Sequence, residues 1–375
     1  MRRTLFVTLL SLTAGCGERD TQDLPHYTLE FVPAASAGNF TDGSGLAINS
    51  KGDVTGWVAE GDSNKTTFFW PAGSNSLILP KDVSACQGAT AIDNQRHVYC
   101  NQEVVLNANV NPLSALTTTT NYGWRGTGVT PGGLAIETQL GVNPYTARLY
   151  RVDCPNNKCT VHVIQILAPP PDGQSVYGAA VREMTDGSWI ATGWAGGLLA
   201  PGFDESWCPD TAYVWQKDKA PVAIPSLPGR TLQSGMAINS HRWIVGRTSA
   251  PDPNAPMAST TAFVAIPGDD GKYKTLELTS PAKGDTYYAI GIDDKGVIIG
   301  DSLLGNALIW FPDQKKNTWG GGHVFDDLVD KPAGCTTFRI SETDAINDAG
   351  VIAGAAVCDG QRGVVRLTPL PSKVR

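Results

Sequence analysis

One phrase recurs along the chain and restricts its fold more than any other feature: a small residue, an aliphatic, Asn or Asp, two polar residues, Gly, then a β-rich run ending in Gly. It stands as Ala47-Ile48-Asn49-Ser50-Lys51-Gly52 before DVTG and as Ala237-Ile238-Asn239 before WIVG. It returns as Ile292-Asp293-Asp294-Lys295-Gly296 before VIIG and as Ala345-Ile346-Asn347-Asp348-Ala349-Gly350 before VIAG. Weaker copies lie at Ala91-Ile92-Asp93 before HVYC, at Gly128 to Gly133 before LAIE, and from about Ala180 to Gly187 before SWIATG. Measured at the turn, from Gly52 to Gly350, the repeat averages about 50 residues, a period typical of propeller blades.

Each copy reads as a tight hairpin, because Asn or Asp can bond the backbone two residues on and Gly accepts positive φ. Two strands, A and B, flank that turn. A third, C, follows as Thr66 to Trp70, Thr146 to Tyr150, Thr211 to Trp215, Thr261 to Val264 and Asn306 to Trp310; a fourth, D, leads to the next unit. Many Gly (41) and Pro (25) with few charged residues (17%) suit short strands and turns better than helices. The expected fold is all-β: a seven-bladed β-propeller of four-stranded antiparallel blades. The last unit supplies only three strands, and the alternating run His26 to Val32 is expected to complete its sheet and close the ring, removing both open edges.

The A-I-N-x-x-G hairpin followed by a strand ending in an aromatic residue resembles the HAF repeat of probable extracellular bacterial proteins. Thr or Asn stands here where the name-giving His would be, so no His-dependent property carries over. The resemblance implies architecture and an exported location, not a reaction.

The N-terminus bears on location independently. Arg2 and Arg3 precede an apolar stretch from Leu5 to Leu12, closed by Thr13-Ala14-Gly15-Cys16, a secretory signal too short to span a bilayer. Small residues directly before a cysteine resemble the bacterial lipobox, with Thr13 where Leu is usual; this implies cleavage before Cys16 and a lipid anchor on its sulfur. The expected organisation is a signal peptide over 1–15, a tether over 16–25 and a propeller over 26–375, held at the outer membrane. Without the signal, 27 basic side chains face 36 acidic ones, which disfavours nucleic acid as a partner.

Seven cysteines then remain for an oxidising compartment. Cys154 and Cys159 flank a four-residue turn and should face each other. Cys86 with Cys100, and Cys335 with Cys358, bracket the hairpins of units two and seven in the same way, so both pairs are expected disulfides. Cys208 is left over. The Cys154–Cys159 spacing would also suit zinc, but no second Cys or His pair accompanies it.

In a propeller, ligands usually meet the B–C and D–A loops, which cluster on one face around the channel. The longest such loop here runs from Trp194 to Asp210, and Trp194, Phe203, Asp204, Glu205 and Trp207 form a candidate binding surface unless the loop folds back on its own blade. The five histidines are scattered, no Gly-x-Ser-x-Gly elbow or phosphate loop is present, and no cofactor is called for. The recurrent Asn and Asp residues are explained by turn chemistry, and the tryptophans by blade packing. Two functions fit: a binding or scaffold module for a protein or glycan, or a periplasmic or cell-surface hydrolase or lyase with residues gathered from several blades at the channel mouth, Asp204, Glu205 and other acids such as Asp301 or Asp344 being its candidates.

Overall fold

The computed structural model describes residues 24–61, 64–80, 86, 88–100, 105–108, 114–116, 124–139, 144–153, 160–170, 175–196, 210–250, 260–281, 286–313 and 318–371. Cys16, Cys154, Cys159, Phe203, Asp204, Glu205, Trp207 and Cys208 lie outside the described residues. The helices described are single 3-10 turns at Ala34–Ala37 and Phe325–Leu328, and among these residues no helix is long and apolar enough to cross a membrane.

Each repeat phrase folds as its chemistry dictates. In unit one, strand A (Asp42–Ile48) pairs antiparallel with strand B (Val54–Glu60), and Asn49 Oδ1 caps the turn by accepting from the backbone N–H of Lys51 and Asp53, both at 3.0 Å. Asp93 accepts from Gln95 and His97, Asp293 from Lys295 and Val297, and Asn347 from Ala349 and Val351. The glycine that ends each β-rich run has a different cause. Strand A is bulged at Gly45/Ala47, Gly178/Ala180, Gly235/Ala237 and Ala289/Gly291. Beside each bulge a strand A carbonyl presses onto strand B, so a Cβ on Gly56, Gly193, Gly246 or Gly300 would collide with the carbonyl of Ser44, Tyr177, Ser234 or Tyr288.

The hairpins extend into sheets. Among the described residues six sheets are four-stranded, one is three-stranded, and a two-stranded ribbon stands apart. The expectation of seven equal four-stranded blades is therefore corrected: six sheets have that form. In unit one the three strands end at Trp70, and among the described residues beyond them strand C meets Ile78 through a bridge from Phe69 and meets Cys86, whose carbonyl accepts from the Thr67 N–H at 3.2 Å. A turn at Pro71 and Gly73 and then Pro80, which lacks an N–H, bound the short stretch in which the Phe69–Ile78 bridge forms.

Consecutive sheets bury their apolar faces on each other. Phe69 of unit one packs with Ile92 and Val98 of unit two, and Ile190 and Val214 of unit four with Ile244 and Phe263 of unit five. Val364 and Ala353 of unit seven pack with Val54 and Phe68 of unit one. Trp70, Trp215 and Trp310 are fully buried in these seams, whereas Trp57, Trp194, Trp243 and Trp319 are half-buried, so packing accounts for the first group only. Tyr27–Pro33 runs antiparallel to Gln361–Pro369, with Tyr27 opposite Pro369 and Val32 opposite Val364. Arg366 ties this sheet to unit one: its guanidinium pairs with Glu30, donates to the carbonyls of Gly52 (3.1 Å) and Pro71 (3.2 Å), and lies 4.3 Å from the Trp70 ring centre. Disulfides join Cys86 to Cys100 and Cys335 to Cys358, with Cα atoms 5.7 and 5.4 Å apart.

Candidate functional site

The first strands converge on an axial channel. On the turn side, the ends of strand A from units one, two, three, four and seven line one cavity of about 100 Å³, including Ile48, Ile92, Val129, Arg182 and Ile346. In unit four the hairpin runs further before turning at Met184, so Arg182 projects from strand A (Ser175–Glu183) at the level of the other units' turn residues. Its guanidinium pairs with Asp294 of unit six, at 2.7 Å, and with Asp348 of unit seven. Burial opposes that charge, but Asp348 and Asp294 outweigh it and hold the guanidinium above its ordinary pKa. This clamp spans the turn-side mouth.

The other mouth has different chemistry. One level of the repeat, the cross-strand pair beside the bulge, is filled differently in each unit: Ser44 opposite Trp57, Tyr177 opposite Trp194, Ser234 opposite Arg247, Tyr288 opposite Asp301, and Glu342 opposite Ala355. Trp194 is thus the strand residue that opens the candidate loop rather than part of a loop, since strand B of unit four continues to Gly196. Its indole stacks on Tyr177 at 5.2 Å, and Tyr177 meets Tyr145 edge-on at 5.4 Å, giving an aromatic wall.

Units six, seven and one contribute acids. Asp344 stands where Leu46, Met236 and Ile290 stand in other units, and it accepts a 2.6 Å hydrogen bond from Ser44 Oγ. Burial, reinforced by Glu342, pushes the Asp344 carboxyl up to about 7, against the hydrogen bond from Ser44 and the charge of Arg362. Asp301 is held well above the usual carboxylate range by burial and by Asp344, although it accepts from the Thr343 N–H at 2.9 Å. The Tyr288 phenol, half-buried and beside the same acids, is pushed up to about 12. Arg362 offsets part of this charge by pairing with Asp42 (2.9 Å) and Glu342 (2.6 Å). Such an arrangement can hold a carboxyl protonated at neutral pH and so donate a proton or a hydrogen bond. Among the described residues, no group of three His, Cys, Asp or Glu is placed to hold a metal ion.

Asp301 and Asp344 were both candidates from sequence, and the structure brings them to one mouth. Arg182 was missed, as were Tyr177 and Glu342. A signal existed for Asp344 alone, a carboxylate in an otherwise aliphatic repeat column; Arg182 needed the length of its hairpin, which the blurred repeat of unit four conceals.

No family model and no curated protein matches the chain. Among solved structures it is similar to YCF48 bound to D1 peptide, at 9% identity and a TM-score of 0.50, over 94% of this chain and 98% of that one. It is also similar to the Cps50 (Swd1) β-propeller domain of Myceliophteria thermophila, at 10% identity and a TM-score of 0.49, over 92% of this chain and 100% of that one. The likeness to YCF48, with the sheet topology, identifies the fold as a β-propeller. At such identity it is a statement about fold alone.

Proposed function

We propose that this chain is an exported, membrane-anchored β-propeller lipoprotein of the HAF-repeat kind that acts as a binding or scaffold module for a protein or glycan. In this reading residues 1–15 are removed, Cys16 carries the lipid, 16–25 form a tether, and 26–375 form a ring of seven repeat units closed by the N-terminal strand at the outer membrane. The two disulfides are compatible with export. The observation that carries the binding reading is a repeat level at the mouth at which chemistry varies, Ser44, Trp57, Tyr177, Trp194, Arg247, Asp301 and Glu342, beside positions held uniform by turn and bulge geometry. Uniform positions build the ring, and varied ones at its mouth recognise a partner. The test is a pull-down from intact membranes with the full chain and with Trp194→Ala and Arg247→Ala. Retention of a partner by the native chain and its loss in both variants supports the reading; equal retention in all three removes it. A Cys16→Ala chain should leave the membrane fraction.

A second reading, a hydrolase or lyase, is favoured by the raised Asp344 carboxyl hydrogen-bonded to Ser44, with Asp301 nearby. It predicts turnover of a glycan or ester with a pH limb near 7 that disappears in Asp344→Asn.

A further inference from the structure

We propose that the cleft between units five and six, on the hairpin-turn side, is a binding site for a neutral pyranose ring of a glycan, a second site that goes beyond the binding-module reading and is separate from the mouth on which that reading rests. The cleft is a cavity of about 380 Å³, within the about 300–1,000 Å³ usual for small-molecule pockets. It exists because unit six departs from the repeat. Between its third strand (Ala307–Trp310) and its fourth (His323–Val324), the chain adds a ribbon in which Pro312–Asp313 pairs with Thr318–Trp319. Unit four joins the equivalent strands directly, from Gln216 to Val222. Trp243 and the ribbon's Trp319 pack on one side against the core shared by units five and six, and the insertion leaves a cavity open beside them, which points to recognition.

The walls fit a sugar. Trp243 and Trp319 meet at 84° with ring centres 5.4 Å apart, forming a floor and a wall, and the exposed His241 ring lies 5.3 Å from Trp243. Trp319 is pinned by donating its indole N–H to the Gly296 carbonyl at 2.7 Å. The Trp243 indole N–H has no acceptor among the described residues and is available to a ligand oxygen. Charge at the rim is balanced: Lys295 opposes Asp313, and Asp294 is already engaged by Arg182 and the Ser240 N–H. A cationic or anionic ligand gains nothing there, whereas a neutral ring that lays an apolar C–H face on an indole and points hydroxyls at the rim satisfies both surfaces.

The test titrates the full-length protein with chitobiose, cellobiose and maltose, and with glucosamine and glucuronate as charged counterparts, following tryptophan fluorescence and the Trp243 indole N–H resonance, assigned with Trp243→Phe. At least one neutral disaccharide should bind and shift that resonance, and Trp319→Ala, checked for an unchanged thermal midpoint, should weaken it by about ten-fold or more. His241→Ala should weaken it less, and Trp194→Ala not at all. Preference for glucosamine or glucuronate, or binding unchanged in Trp319→Ala, overturns the proposal. Sugar binding lost in Trp194→Ala but kept in Trp319→Ala overturns this site and leaves the binding module standing; no sugar bound while membranes still yield a mouth-dependent partner does the same.

Discussion

The junction between units one and two and that between units five and six are built on the same backbone and finished in opposite ways. In both, the turn Asn donates to the carbonyl of the next turn's Asp at 3.0 Å, Asn49 to Asp93 and Asn239 to Asp293. In both, the next residue's N–H donates to the side chain beyond, Ser50 to Asn94 at 3.1 Å and Ser240 to Asp294 at 2.8 Å. The slot above differs. At the first junction Arg96 forks onto the fully buried Asp53 at 3.0 and 3.1 Å and seals it. At the second, Trp243 takes the place of Asp53 and Gly296 that of Arg96, so a ring lies on a bare backbone and the cleft stays open. The buried Asp differs too: Asp93 Oδ2 is held by His97 Nδ1 (2.9 Å) and the Tyr99 hydroxyl (3.1 Å), whereas Asp293 Oδ2 has no partner. Repeat geometry thus fixes how units join, and the side chains left over decide whether a junction is sealed or open.

The largest test removes the seal. Burial alone would raise the Asp53 pKa, but the Ala72 N–H, Arg96 and Asn49 outweigh it and hold the carboxyl below its usual range. Arg96→Met should cost about 3 kcal/mol near pH 7, the low end for breaking a buried pair because Arg96 is one-third open to water. Because Asp53 is depressed in the folded state, the native pair's contribution is full above the unfolded carboxylate pKa and fades as pH falls through the folded one, so the two chains should converge in acid in denaturant titrations.

Asp293 should behave in the reverse sense. Burial pushes it up to about 6, so the folded chain holds its proton better than the unfolded chain does. Stability then falls as pH rises from about 4 through about 6. Asp293→Asn should raise stability by about 2 kcal/mol at pH 7 and give no gain below pH 4. The gain would grow if the new amide donates to the unit-seven turn, towards which Oδ2 points, 3.6 Å from a Cβ placed on Gly350. A flat difference across that pH range would refute the assignment.

Gly296→Ala tests the open slot. With φ at +85° and a Cβ that would sit 2.7 Å from the Trp243 ring, it should cost about 1.5 kcal/mol and shift the Trp243 emission. The smallest effect is Asp93→Asn, expected to lose about 1 kcal/mol by weakening the His97 and Tyr99 bonds. The same Asp-to-Asn change would then carry opposite signs at two equivalent positions, and thermal melts of the two variants side by side would show it.

Much of this was legible beforehand, because the features that define a repeat are local. Asn49, Asp293 and Asn347 cap turns through bonds four residues long at most, and period and alternation place strands without knowledge of neighbours. The cysteine pairs Cys86–Cys100 and Cys335–Cys358 could be read for the same reason, since each spans one hairpin. The terminal glycine of each unit could be seen but not explained, because the carbonyl that excludes a side chain there lies on the opposing strand. Trp194 could be named as a candidate, but not its stacking on Tyr177.

By itself, then, the sequence determined the hairpin unit and the type of sheet it builds, both consequences of short-range hydrogen bonding and alternation. Only the tertiary structure decided which units make four strands, where Arg182 reaches, why Asp344 is pushed up to about 7, and which junction stays open. Those depend on burial and on partners more than a hundred residues away, and neither distance through space nor exclusion from water is encoded in local spacing.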